Sequence, residues 1–489
     1  MKKTDKKQTI LLTGTTGYIG RRLKYQLLED KTLQLKLLVR NASSLIDKVT
    51  KNTQIFEGST FDKEVLAEAM QGVDVAYYLI HSLGHDNYAE LDRTSAKNFR
   101  EAAIKAGVKK IIYLGGLGLI NEDTSEHLRS RIETGEVLSK QSDKIDVIWF
   151  RAGVIIGSGS ASFEIIRNLI QKLPIMITPK WVRTKAQPIG VEDVISYLDR
   201  AKTDTLKGSH VIDIGSEKLC YQEMMIQCAE VMGLTRLIIP VPFLSVGLSS
   251  YWLNIFTPVP FSVASSLIKG VRCEVVVQND NAQKLLPDIQ PSSFKQSIAK
   301  ALYEAEENQV LSRWSDGGHD VWDMNHKDSI DKAVFIDRQT LDLSGVDPSY
   351  VHQSYMSIGG KNGWFAYDWL WEIRGFIDKL VGGVGLHRGR RSQDTLRIGD
   401  SLDFWKVVDI QENERLLLYA QMRVPGKAWL EFKIYKGKLI QSAYFLPKGV
   451  FGRLYWYTLI PIHYLVFRDI IRNVLKKAKS LSYKENKSF

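Results

Sequence analysis

The sequence predicts an α/β parallel sheet wrapped by helices, followed by a separate α+β domain in which an antiparallel sheet is closed by a long helix. Three observations carry that expectation. Over the first 160 residues short apolar runs alternate with helical stretches, which specifies parallel strands and crossover helices. The chain opens with ILLTGTTGYIG at 10–20, an apolar strand that runs directly into Gly14, Gly17 and Gly20. Beyond about residue 312, strand candidates follow one another through short loops, without intervening helices.

The glycine segment is the most informative of the three. A strand over 9–13 delivers the chain to a tight turn at Gly14. Gly17 removes a side chain where a phosphate must approach the peptide, and Gly20 lets the helix over 19–28 sit close to the strand. The N–H groups and positive dipole end of that helix then face the phosphates. Strand, glycines and helix stand in the order a Rossmann-type dinucleotide site requires. The next apolar run, 35–39 (LKLLV), ends at Arg40. An NAD site places an acid here for the ribose 2′-hydroxyl, whereas Arg40 offers a planar, permanently charged fork for a 2′-phosphate. The expected cofactor is therefore NADP, with NAD the lesser candidate.

Further strands are expected at 54–57, 73–80 (VDVAYYLI), 110–114 (KIIYL) and 145–150 (IDVIWF), with helices at 64–70 and 88–106 between them. Gly107 is placed to cap the second helix. From 161 to about 311 the pattern is irregular, with one helix near 163–172, and this region should cover the C-terminal ends of the strands, where such sheets bind ligands. The expected division is thus a Rossmann-type domain over 1–311 and a second domain over 312–489. In the latter, strands are expected at 402–410, 415–422, 428–435 and 439–445, with turns at 412–414 and 436–438. A helix over 449–479 follows, kinked at Pro461.

Composition narrows the classes. The chain has 489 residues, 44% hydrophobic and 25% charged, enough for two or three packed domains. Cys220, Cys228 and Cys273 show neither disulfide nor metal-ligand spacing and fit a reducing, cytoplasmic compartment. The net charge of +11 is partly concentrated at the two ends, and no nucleic-acid motif accompanies it. The apolar stretches 237–268 and 450–467 are broken by prolines, serines, Arg453 and His463, so no spanning helix is expected. Both are rich in aromatics, and the second runs into a basic tail, which leaves peripheral membrane association open. His319 and His326 flank acids in DGGHDVWDMNHKD without a scaffold for three metal ligands, so no metal is expected there. The basic run GLHRGRR at 385–391 reads as a solvated loop.

With LLTGTTGYIG, Arg40, YYLIHSLG at 77–84, KKIIYLGGLG at 109–118 and FRAGVIIGSGSASF at 150–163 in order, the first 300 or so residues resemble the atypical short-chain dehydrogenase/reductases. The NmrA-like branch, related to the accessory subunit of respiratory complex I, is the nearest in pattern. GDSLDFWKV at 399–407, PGKAWLEF at 425–432 and FGRLYWYTLIPIHYLVF at 451–467 are similar to the helix-grip (SRPBCC, START-like) domain fused to some of these proteins. The resemblance implies cofactor contacts at Gly14, Thr16, Gly17, Tyr18, Ile19, Gly20, Arg40, Leu79, Ile80, His81 and Gly115. It also implies an apolar ligand in the second domain. The family often carries an Asp at the adenine edge, where this chain has Ser59.

Active members of that family use a Tyr and a Lys four residues apart on one helix, with a Ser or Thr after the fifth strand. Here His127 and Arg131 take the helix positions and Gly115 and Gly116 stand where the Ser should be. Two readings follow. His127 is a replacement acid/base, held neutral by the fixed charge of Arg131 one turn away. Alternatively, the pair is a remnant that holds ribose or phosphate, and redox turnover is weak or missing. The function classes left open are a reductase of a quinone-like or bulky apolar carbonyl compound, a nucleotide-sensing binding protein, and a scaffold for a respiratory membrane complex.

Overall fold

The computed structural model describes residues 7–40, 42–45, 52–81, 87–121, 124–241, 257, 270, 273–307, 310–314, 330–381, 383–386, 390, 392 and 395–485. The chain divides into two compact units, Met1–Phe256 with Ser262–Gly317, and Thr257–Phe261 with Gly318–Phe489.

The first unit is built on seven strands: β1 (Gln8–Thr13), β2 (Leu33–Val39), β3 (Thr53–Glu57), β4 (Val75–Tyr78), β5 (Lys110–Gly116), β6 (Asp146–Ala152) and β7 (Ser209–Ile214). They lie in the order β7-β6-β5-β4-β1-β2-β3, and every pairing is parallel. The helices are α1 (Tyr18–Glu29), α2 (Lys63–Met70), α3 (Tyr88–Lys105), α4 (Glu126–Ser139), α5 (Ala161–Lys172), α6 (Val191–Ala201), α7 (Tyr221–Val231) and α8 (Phe294–Glu306). Alternation along each strand feeds two cores. Ile10, Leu12, Leu37, Tyr77 and Ile112 face Leu23 of α1 and Leu198 of α6. Leu11, Leu38, Ala76, Tyr78 and Ile111 face Leu66 of α2, Phe99 of α3 and Ile132 of α4. Runs buried on both faces are why these strands read as continuous apolar segments rather than alternating ones.

Strand β7 was not expected. SHVIDI is short and opens on polar residues, yet it continues the sheet in full register with β6, from Ser209↔Val147 to Ile214↔Ala152. The region after 161, expected to be irregular, also supplies α6, α7 and α8. Gly107 does end α3, at φ +73°, with its N–H on Ile104 O and the Val108 N–H on Ala103 O.

The second unit is a six-stranded antiparallel sheet: β8 (Phe335–Asp342), β9 (Ser401–Leu402), β10 (Trp405–Gln411), β11 (Arg415–Ala420), β12 (Gly426–Tyr435) and β13 (Lys438–Pro447), ordered β8-β13-β12-β11-β10-β9. With it go α9 (Pro348–Met356), α10 (Asp368–Leu380) and α11 (Gly449–Glu485), the last with Pro461 inside it. Lys436 and Gly437 both have positive φ in the β12–β13 hairpin, as a tight two-residue turn needs. The strand expected over 402–410 is instead two: Asp403, at φ +53°, turns the chain so that Leu402 pairs with Trp405. Leu402, Leu418, Leu430 and Leu439 form one core with Val466, Ile470 and Val474 of α11.

Candidate functional site

The strand order reverses between β1 and β4, with Ile10 opposite Val75 and Leu12 opposite Tyr77. Ligands of such sheets bind in the crevice beyond the carboxyl ends of the strands at this point. Thr13 ties the two ends together: its buried hydroxyl donates to Tyr77 O at 2.9 Å and accepts the Leu79 N–H at 3.3 Å.

The three glycines do three different things. Gly14 sits at φ +69°, and a β-carbon on it would overlap Leu79 O. A β-carbon on Gly20 would overlap Gly14 O, so α1 packs directly on the turn. Gly17, the N-cap of α1, donates its N–H to Gly14 O at 3.0 Å. A β-carbon on it would meet only that same oxygen, at 3.2 Å, and otherwise enter open space. No side chain caps α1, and the N–H groups of Tyr18, Ile19 and Gly20 belong to the first turn, where intrahelical acceptors are lacking. Thr15, in the same turn, is buried with its hydroxyl oxygen lacking a partner. An open Cα and a first turn without a side-chain cap fit a dinucleotide pyrophosphate.

Tyr18 offers this site only its backbone. Its ring lies under the Arg22 guanidinium, 5.3 Å from the ring centroid, and its hydroxyl donates to Ser158 O at 3.2 Å. Arg22, 2% exposed, pairs with Glu192 at 2.8 Å and Glu304 at 3.2 Å and donates to the Ser158 hydroxyl at 2.9 Å. The Ser158 hydroxyl in turn donates to Glu304. Burial pushes the Tyr18 phenol well above its ordinary range. Thr16 and Ile19 are half-buried beside it.

Arg40 follows the end of β2. Leu38 pairs with Thr13 at the end of β1, and Arg40 stands two residues beyond that pair, half-buried. Ser59 follows β3, where its hydroxyl accepts the Phe61 N–H at 3.2 Å. Leu79, Ile80 and His81 continue past the end of β4, half-buried, exposed only at His81. Of the stretch 77–84, residues 82–84 lie outside the described residues, as do His319, His326 and His387.

On α4, His127 and Arg131 lie one turn apart. The His127 ring meets that of His81 edge to face at 6.2 Å. Burial, and next the Arg131 charge, push its imidazole down to about 3. The order of causes differs from the sequence expectation, in which Arg131 alone held it neutral. The Arg131 guanidinium donates to Leu114 O at 2.8 Å, and its backbone carbonyl accepts the Tyr113 hydroxyl at 2.9 Å. Gly115 is buried within β5, and its Cα faces the Trp149 indole and the Tyr113 ring. Gly116 is the position that faces α4: a β-carbon there would come within 2.6 Å of Leu128 Cδ1 and 3.6 Å of Arg131 Nε. Leu128 thus fills the place where a serine side chain would stand. Its role was not legible in the sequence, and neither was the burial of Thr15.

The cavity described in the second unit, about 460 Å³, lies on the sheet face away from α11, lined by Ile336, Arg338, Arg415, Glu431, Lys433 and Tyr444 among others. Its lining is mixed in polarity. Arg415 pairs with Glu431 at 2.6 Å and Asp409 at 3.1 Å, and the Tyr444 hydroxyl donates to Glu431 at 2.8 Å. Among the described residues no group of acids, histidines and cysteines could hold a metal ion, and no helix is long and apolar enough to cross a membrane.

Residues 14–146 match a family described as NAD(P)H-binding. The first unit carries an NAD(P)H-binding, Rossmann-like domain. Residues 329–470 match a protein family of unknown function, DUF2867, so the helix-grip assignment of the second unit stays an expectation. Among solved structures, the chain is similar to a nucleoside-diphosphate-sugar epimerase from Staphylococcus aureus, at 17% identity over 60% of this chain and 99% of that one, TM-score 0.48. It is similar also to an NADPH-dependent quinone oxidoreductase from Escherichia coli complexed with NADPH, at 18% identity over 59% and 98%, TM-score 0.48. A third is the triphenylmethane reductase of a Citrobacter species complexed with NADP(H), at 19% identity over 60% and 99%, TM-score 0.48. No curated protein matches the chain in sequence.

Proposed function

We propose that the first unit binds NADP(H) at the β1–β4 switch point, and that conventional dehydrogenase turnover there is weak or missing. The observation that carries the binding half is the opening at Gly17: it alone of the three glycines faces space, at the N-terminus of a helix whose first turn has no side-chain cap. Arg40, just past the end of β2, suits the 2′-phosphate, which favours NADP(H) over NAD. Bound there, the nicotinamide would supply hydride chemistry. The resemblance of the first 300 residues to atypical short-chain dehydrogenase/reductases supports the same reading.

Three features argue against a working acid–base set. Arg131 spends its guanidinium on a backbone carbonyl, Leu128 fills the serine position, and an imidazole held at about 3 is a poor proton donor near neutrality. A second reading keeps one specific observation in its favour. His127 is neutral at ordinary pH and faces His81 at the strand ends, so its ring N–H could hydrogen-bond the oxygen of a quinone-like or bulky apolar carbonyl compound while hydride from NADPH reaches the carbon and water supplies the proton. Calorimetric titration with NADPH and NADH, followed by absorbance assays with quinones and apolar aldehydes, separates the two. Tight NADPH binding without turnover supports the first. Brisk oxidation of NADPH that is lost in His127→Ala supports the second.

A further inference from the structure

Helix α10 is turned inside out over its C-terminal half. Gly375, Asp378 and Lys379 are buried, with Asp378 and Lys379 at 0% and 3% exposure. Both charges are engaged there: Asp378 accepts the Gly385 N–H at 2.9 Å and the Arg423 N–H at 2.6 Å, and Lys379 donates to Thr257 O at 3.0 Å. Ile373, Phe376, Ile377 and Leu380 stand outside instead. In water, the stable arrangement of such a helix puts its apolar stripe inward. The reverse arrangement belongs to a face that meets an apolar medium.

A second apolar face lies on α11. The first turns of α11 expose Val450, Phe451, Leu454 and Tyr457, the first two at 80% and 82%. Both helices hold the same segment, 423–425, from different sides. The Arg374 guanidinium donates to Arg423 O at 3.1 Å, next to the Asp378 bond to the Arg423 N–H. Pro425 O accepts the Lys448 N–H at 2.9 Å, and a β-carbon on Gly452 would overlap that oxygen. The two helices are therefore linked through one loop.

Cations gather on the loop and on the start of α11, whereas the first half of α10 exposes Asp368 and Glu372. Residues 421–430 and 446–460 contain Arg423, Lys427, Lys448 and Arg453 and no acid. Arg423, Lys448 and Arg453 are exposed. Apolar and aromatic side chains bordered on the 423 and 448–453 side by exposed cations match the chemistry of an anionic lipid interface, whose acyl region takes the apolar face and whose headgroups meet the cations.

We propose that the α10 and α11 faces form a surface by which the second unit lies on an anionic bilayer, without spanning it. It is independent of nucleotide binding. The test is flotation of the full chain with vesicles of phosphatidylglycerol and phosphatidylcholine, with vesicles of phosphatidylcholine alone as the comparison. Wild type should float with the anionic vesicles, less so at high salt. The charge variant Arg423→Glu with Lys448→Glu and Arg453→Glu, and the apolar variant Phe376→Asp with Phe451→Asp, should each weaken binding by at least about tenfold. All of these positions are exposed, so unchanged circular dichroism and melting are expected in both variants. Trp369, also exposed, should show blue-shifted emission on vesicle binding that Trp369→Phe removes. Wild-type protein that stays with the aqueous phase would overturn the proposal. So would a solution dimer that Phe451→Asp makes monomeric while vesicles bind neither form.

Discussion

The His81 and His127 rings meet edge to face, 6.2 Å between centroids and 68° between planes, where β4 ends beside α4. One ring comes from the turn after a sheet strand and the other from the first turn of a helix. Desolvation of the half-buried member of the pair, His127, and next the Arg131 charge hold its imidazole down to about 3.

That depression fixes a pH dependence. Between pH 3 and 6.5 the unfolded chain binds a proton at His127 that the folded chain refuses. Stability from this residue is therefore complete above the unfolded value and is lost as pH falls toward the folded one. His127→Gln should flatten the acid side of the melting-temperature profile. It should not abolish the slope, because burial also holds His463 of α11 down to about 4. A His127 imidazole that NMR finds charged at pH 6 would refute the assignment.

Arg22 should be the most sensitive single position near the nucleotide loop. Arg22→Met strands Glu304 and Ser158 without their cation, and breaking a buried pair of this kind costs about 3–5 kcal/mol. Chemical denaturation of the variant should show a loss of that size, and a loss within error would mean the network is idle.

Gln441 of β13 stands on the strand face that carries Leu439 and Ala443 to the core, and both polar atoms of its buried amide lack partners. Gln441→Leu should raise stability by about 1–3 kcal/mol, the usual desolvation cost of an unsatisfied polar group. A drop in melting temperature would show that the amide is engaged by water or by a ligand.

Cofactor choice rests on Arg40. NADPH should raise the melting temperature more than NADH does, and Arg40→Asp should reverse that order by removing the fork and offering a carboxylate to the ribose hydroxyls. Equal shifts for the two nucleotides in wild type would remove Arg40 from the argument.

The parallel sheet was legible because its strands are buried on both faces and announce themselves as apolar runs. β7 was not, since its signal lies in a partner strand 60 residues away rather than in SHVIDI itself. β8 was missed for a different reason: FIDRQTLD has no apolar alternation, and its residues are only half-buried on one face and exposed on the other, as on an edge strand. The split at Asp403 was hidden by apolar neighbours on both sides of a positive-φ residue. Around the site, the glycine turn could be read from spacing alone. The burial of His127, the filling of the Gly116 position by Leu128 and the idle Thr15 hydroxyl depend on which elements pack together, and spacing does not encode that.

The central claim is that the β1–α1 turn cradles a dinucleotide, and Gly17→Val tests it most directly. Its β-carbon would enter the open space before α1 without touching either core, unlike substitutions at Gly14 or Gly20, which would collide with backbone. Calorimetric titration of the variant with NADPH, beside wild type, is the decisive measurement. The account predicts a wild-type binding isotherm and none for Gly17→Val, with the two melting curves alike in the absence of nucleotide. Undiminished NADPH affinity in a folded Gly17→Val protein would contradict it.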